Sequence, residues 1–113
     1  MEGFVSGEVV VIEFPFSDLS GLKKRPVLIL KEISGDDLIL CQITSHSFYK
    51  QEEIEIKNND FTIGGLKIKS YARFTKLFTL DRSLIKYKVG KLKHEKIKEI
   101  INKVSLFFAD NKP

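Results

Sequence analysis

The stretch "SGLKKRPVLIL", residues 20–30, sets three cations at a glycine-containing turn and follows them with a proline and an unbroken apolar run. The residue before a proline is pushed into an extended conformation, so Arg25 is expected to leave the turn and begin a strand. Pro26 lacks an N–H and is tolerated at a strand start, while Val27 to Leu30 are apolar toward both faces. The guanidinium is therefore expected on a backbone held by the core and displayed at the core's edge. Arginine presents five donors in a rigid plane that matches phosphate oxygens.

A hydroxyl is placed to join it. The strands 25–32 and 37–45 flank "ISGD", whose Ser34 and Gly35 suit a hairpin turn. Pairing symmetric about that turn sets Arg25 opposite Thr44, within about two residues. A charged fork facing a hydroxyl that can position or pass a proton suits a phosphodiester. The same residues also fit a plain surface pairing, with Arg25 bridging a carboxylate and Thr44 serving only as a strand residue. Ser45 and His46 follow Thr44 toward an expected loop, where Ser45 can help to orient a phosphate and His46 is a candidate proton carrier.

The two histidines, His46 and His94, stand 48 positions apart, and no other residues form a recognisable ligand cluster. No metal and no cofactor are expected. Without a metal or a strong protein nucleophile, the most accessible phosphodiester chemistry uses the 2′-hydroxyl of RNA, which DNA lacks. Recognition is expected in the loops. The segment "FPFSDLSGLKK" can close over a groove, with Lys23 and Lys24 on phosphates in a sequence-independent, salt-sensitive way. Phe16, Phe48, Tyr49 and Tyr71 are candidates to stack on splayed bases, whereas Phe14, Phe74, Phe107 and Phe108 are assigned to packing.

Charge is unevenly spread. Net charge is +4, yet residues 1–22 carry four acids and no base, while Lys67 to Lys103 hold twelve bases against three acids. Such a surface suits a polyanion such as nucleic acid, or an acidic protein segment; it also fits a solvated lysine-rich face.

The elements that must position these groups are short and rich in Val, Ile and Phe. Strands are expected over 8–14, 25–32, 37–45, 52–56, 70–78 and 88–92. From Lys93 the period changes: Ile97, Ile100, Ile101, Val104, Phe107 and Phe108 recur at three- and four-residue steps, the stripe of an amphipathic helix. Lys93 and His94 are poor caps, so a frayed start is expected. Short strands and a terminal helix imply a small, strongly curved antiparallel barrel with the helix packed against it.

At 113 residues the chain is expected to be one domain, 1–113, with one core. The single cysteine, Cys41 in "LILCQI", can form neither an internal disulfide nor a zinc cage and reads as a small core residue of a reducing compartment. No apolar run approaches the ~20 residues that span a bilayer, and "MEGFVSGE" has no basic flank, so a cytoplasmic protein without membrane contact is expected.

Taken in order, "GEVVVIEFPFSDLSGLKKRPVLIL", "CQITS", "GGLKIKSYARFTKL" and "LFTLDRSLIKYKVGKL" resemble the PemK/MazF toxins of type II toxin-antitoxin systems, over about residues 7–105. The resemblance implies an SH3-like barrel that forms a homodimer and cuts single-stranded RNA at short preferred sequences, an mRNA interferase. It implies cleavage without metal, leaving a 2′,3′-cyclic phosphate and a 5′-hydroxyl, and silencing by a cognate antitoxin whose disordered tail lies in the RNA groove. It makes Arg25 and Thr44 the catalytic pair and gives Arg73 a supporting part, in phosphate binding or transition-state support. Thr75 and Lys76, in "RFTK", join the RNA-contacting candidates. Thr75 departs from the family pattern, which often carries aspartate there, so the chemistry is rested on Arg25 and Thr44. Two other readings of the same fold are a noncatalytic RNA- or antitoxin-binding module and a CcdB-like gyrase poison. The latter group grips gyrase through a tryptophan near its C-terminus, and this chain has no tryptophan.

Overall fold

The computed structural model describes residues 3–15 and 22–110. Phe16, residues 17–21 of the loop expected over the groove, and the side chain of Phe14 lie outside the described part.

Among the described residues seven strands and one α-helix follow in order: β1 Glu8–Pro15, β2 Leu22–Glu32, β3 Asp37–Thr44, β4 Glu53–Ile56, β5 Phe61–Gly64, β6 Ser70–Asp81, β7 Ile85–Leu92 and α1 His94–Ala109. All strands join one antiparallel sheet in the order β4-β6-β3-β2-β1-β7-β5. The sheet curls until its two outermost strands share a core: Ile54 and Ile56 of β4 lie in one buried cluster with Phe61 of β5, Leu92 of β7, and Ile97 and Ile100 of α1. The expected mainly β, SH3-like barrel with a C-terminal helix is thus the fold.

The central strands are buried on both faces where their sequence is an unbroken apolar run, as at residues 9–12 and 27–30. Along β2, Leu28 and Leu30 enter the inner cluster, while Val27 and Ile29 enter a second one with Val10, Ile12, Leu38 and Leu40. Phe4, Phe78, Leu80 and Ile85 pack over that second cluster. Cys41 sits in the inner core with no exposed surface.

Besides β6 running on to Asp81 and β7 starting at Ile85, three expectations change. Strand β2 starts at Leu22, not Arg25, because Lys23 and Lys24 extend the ladder to Phe14 and Glu13 of β1. Strand β5, "FTIG", has too few residues to show a period in the sequence. It is fixed instead against β7, where Gly64 faces Gly90. A Cβ on Gly64, at φ +70°, would stand 2.1 Å from the carbonyl oxygen of Val89, so the close approach requires glycine.

The third change concerns α1. Ile97 and Ile100 are buried, which stabilises docking by about 1.5–3 kcal/mol each. Phe107 meets Phe74 edge-on at 6.3 Å. Much of the rest of the helix's apolar surface faces solvent: Ile101, Leu106, Phe107 and Phe108 are exposed, Phe108 by 65%. As expected, no side chain caps the helix, but its start is tied down: the Lys93 N–H donates to the Asp60 carbonyl and Lys96 pairs with the Asp60 carboxylate at 3.4 Å. Among the described residues no helix is long and apolar enough to cross a membrane.

Candidate active site

Two ladders that separate build the site. The β2–β3 ladder follows the hairpin symmetry through Ile29–Leu40, Leu28–Cys41 and Val27–Gln42, and that is its last pair. Beyond it Arg25 pairs with Ile12 of β1, and Thr44 pairs with Tyr71 of β6. Arg25 and Thr44 are therefore not ladder partners, as the symmetric extrapolation had them. Both line one cleft beyond the last β2–β3 pair.

Strand β6 makes the separation of the ladders possible. Its register jumps from Cys41–Leu77 to Gln42–Arg73, so Phe74, Thr75 and Lys76 are interposed. The inserted residues bend the strand, and Phe74 turns into the inner core.

The cleft encloses about 240 Å³ and is lined by Lys24, Arg25 and Pro26 from β2, Ile43, Thr44 and Ser45 from the end of β3, and Leu66, Lys67, Ile68 and Ser70 from the β5–β6 connection. Three cations and three hydroxyl-bearing residues thus line it, and among the described residues no carboxylate does. Lys24 also lies 5.9 Å from the centre of the Tyr87 ring. The Thr44 hydroxyl accepts from the His46 N–H at 3.2 Å, closing a short turn at the strand end. Its own proton makes no hydrogen bond among the described residues. Ser70 is buried and donates to the Ile68 carbonyl at 2.7 Å, fixing the far wall.

Of the residues singled out from sequence, Arg25, Thr44, Ser45 and Lys24 meet in this cleft. Lys23, His46 and Lys76 are exposed and outside its lining. Arg73 is also outside it. Its side chain is only 11% exposed and its Nε stands 3.8 Å from Glu53. Thr75 donates to a Glu52 carboxylate oxygen at 2.9 Å, so a carboxylate does stand at this position, supplied from the preceding turn.

Glu53 was missed from sequence, where it reads as one acid among several in "QEEIEI". Its carboxylate accepts from the Ser47 hydroxyl at 2.8 Å and from the N–H groups of Phe48 and Tyr49 at 2.8 and 3.1 Å. Burial pushes its proton affinity up, but the bonds from Phe48, Ser47 and Tyr49 and the charge of Arg73 outweigh burial and hold the group below its ordinary value of 4.5. Above the Arg73 guanidinium lie the rings of Phe48 at 5.0 Å and Tyr49 at 5.9 Å. Lys67 and Ser70 were missed as well. Their signal was the lysine-rich "GGLKIKS", noted but not placed in a cleft. Among the described residues no three of His, Cys, Asp and Glu gather into a group able to hold a metal.

Residues 6–108 match the family described as PemK-like, MazF-like toxin of type II toxin-antitoxin system. No curated protein matches the sequence. Among solved structures, a MazE-MazF complex from Deinococcus radiodurans superposes with a TM-score of 0.73 at 17% identity, covering 93% of this chain and 95% of that one. The Mycobacterium tuberculosis toxin MazF-mt6 superposes at 0.71 with 16% identity, over 93% and 99% of the two chains. An endoribonuclease in complex with its cognate antitoxin, from Mycobacterial species, gives 0.69 at 14% identity, over 98% and 100%. At such identities the likeness concerns the fold.

Proposed function

Because the chain belongs to the family of PemK-like, MazF-like toxins of type II toxin-antitoxin systems, we propose that it is an endoribonuclease toxin that cleaves single-stranded RNA in the β2–β3 cleft, without a metal and at preferred sequences. The observation that carries this reading is the cleft's lining: Lys24, Arg25 and Lys67 gathered with the hydroxyl-bearing Thr44, Ser45 and Ser70, a cationic surface suited to a phosphate.

In this mechanism the 2′-oxygen of the RNA attacks the adjacent phosphorus in line, forming the new P–O2′ bond as the P–O5′ bond breaks. The products are a 2′,3′-cyclic phosphate and a 5′-hydroxyl. The proton lost by the 2′-oxygen and the proton gained by the 5′-oxygen balance, so no water is consumed. Arg25 offsets the charge that develops on the phosphoryl oxygens. Thr44, whose oxygen accepts from the His46 N–H, presents its O–H to the phosphate. A preorganised donor of this kind contributes on the order of 3 kcal/mol, or about a hundredfold in rate.

A homodimer and a cognate antitoxin complete the reading. The exposed Ile101, Leu106 and Phe108 on the outer half of α1 give a second copy an apolar surface to cover. An antitoxin with an acidic segment would compete with RNA for the cationic cleft. Both partners belong to the cytoplasm, where mRNA is.

The test is incubation of the purified protein with long single-stranded RNA in EDTA, wild type beside Arg25→Ala, with product ends mapped. Cutting at a few short sites by the wild type alone, with cyclic phosphate termini, supports the assignment. Intact RNA, or equal cutting by both proteins, replaces it with a noncatalytic RNA- or antitoxin-binding module.

A further inference from the structure

Phe48 and Tyr49 are 59% and 61% exposed, yet they are held in place. Large exposed rings on a short connection are ordinarily loose, because ordering them costs conformational entropy without burial in return. Here one carboxylate opposes that cost. Glu53, its side chain 2% exposed, takes three hydrogen bonds from residues 47–49, and Arg73 stands beneath both rings. The His46 ring lies 6.3 Å from that of Phe48, tilted by 59°, and widens the surface.

This ledge follows the cleft wall along the chain. Thr44 and Ser45 line the cleft, and Phe48 follows Ser45 by three residues, no more than roughly 11 Å along the chain. We propose that Phe48 and Tyr49, supported by the Arg73 guanidinium and fixed by Glu53, form a stacking subsite for an unpaired nucleobase next to the phosphate bound in the cleft. The inference rests on the reading of that cleft as an RNA site. A base is the fitting occupant because the rings offer exposed faces above a cation and stand three and four residues along the chain from Ser45 of a cationic, hydroxyl-lined cleft. Stacking on such faces is tolerant of sequence, so the ledge supplies affinity while the choice of cleavage sequence lies elsewhere. Glu53 and Arg73 act through the rings and are positioning residues.

Two paired variants test this. Phe48→Ala with Tyr49→Ala removes the ledge, and Phe48→Tyr with Tyr49→Phe keeps two aromatic faces. Each is made in the wild type for cleavage kinetics, and in Arg25→Ala, where RNA persists, for binding of a fluorescein-labelled single-stranded heteropolymer. The alanine pair is expected to weaken binding and raise KM about tenfold, with a smaller change in kcat, and the aromatic exchange to stay near its parent. Glu53→Gln in an otherwise native chain is expected to move KM in the same direction. Thermal melts of each variant separate loss of the ledge from loss of the fold. If the wild type cuts RNA and the folded alanine pair shows unchanged KM and affinity, the subsite is overturned while the cleft assignment stands, and the ledge belongs to a protein partner. If the wild type neither binds nor cuts RNA, both readings fall.

Discussion

Removing the Glu53 carboxylate tests the account of how the site's loop is held. At 3.8 Å from Arg73, the pair's gross attraction is about 4 kcal/mol at an effective dielectric near 20. Desolvation of both groups offsets part of this, so the net pair is worth less. Glu53→Ala also strips the Ser47 hydroxyl and two N–H groups of their acceptor and leaves a guanidinium 11% exposed with no other ion-pair partner among the described residues. Breaking a buried pair in this way costs about 3–5 kcal/mol. Water can reach the exposed residues 47–49, which sets the expectation at the lower end, about 3 kcal/mol. In a domain of this size that lowers the melting temperature by roughly 10 °C. Glu53→Gln keeps an acceptor oxygen and loses only the charge, so about 1–2 kcal/mol is expected.

The pH dependence gives an independent check. The folded-state value of Glu53 lies below 4.5, so its contribution is fully present above that pH and is lost as pH falls through the folded value. The stability gap between wild type and Glu53→Gln should be flat above about pH 5 and close below about 4.5. Urea denaturation at several pH values reads both quantities. A Glu53→Ala protein within about 0.5 kcal/mol of wild type at pH 7, or a gap to Glu53→Gln unchanged at pH 3, would refute the reasoning.

Three other outcomes are expected. Burial pushes the Cys41 thiol up to about 12, so the native protein should resist a thiol reagent at pH 8 and react on unfolding; rapid stoichiometric labelling of native protein contradicts this. Gly64→Ala forces a left-handed backbone and a 2.1 Å approach to Val89, and should destabilise by about 3 kcal/mol in urea; an unchanged midpoint would show that β5 does not cross β7 this closely. Leu106→Ser with Phe108→Ser should weaken self-association about tenfold or more by sedimentation, and a monomeric wild type would remove the basis for the dimer.

Local chemistry made much of this protein legible from sequence. Runs of Val, Ile and Leu between turn residues place β1, β2 and β3, because short apolar runs with β-branched residues must be buried in extended form. Arg25 before Pro26 announces an extended, displayed cation for the same local reason. The period of three and four after Lys93 announces the helix, and residue order along the chain announces the family. What lay beyond reach depends on contacts between residues far apart. Whether Arg25 and Thr44 pair or only line one cleft is decided by the end of the β2–β3 ladder and by three residues interposed in β6, which no local pattern marks. The exposed end of α1 follows from where the curled sheet stops supporting it, so a stripe of six apolar residues serves the core at one end and solvent at the other. The role of Glu53 comes from three donors folded back onto one carboxylate above a cation twenty residues away, an arrangement that exists only once β4 and β6 are side by side.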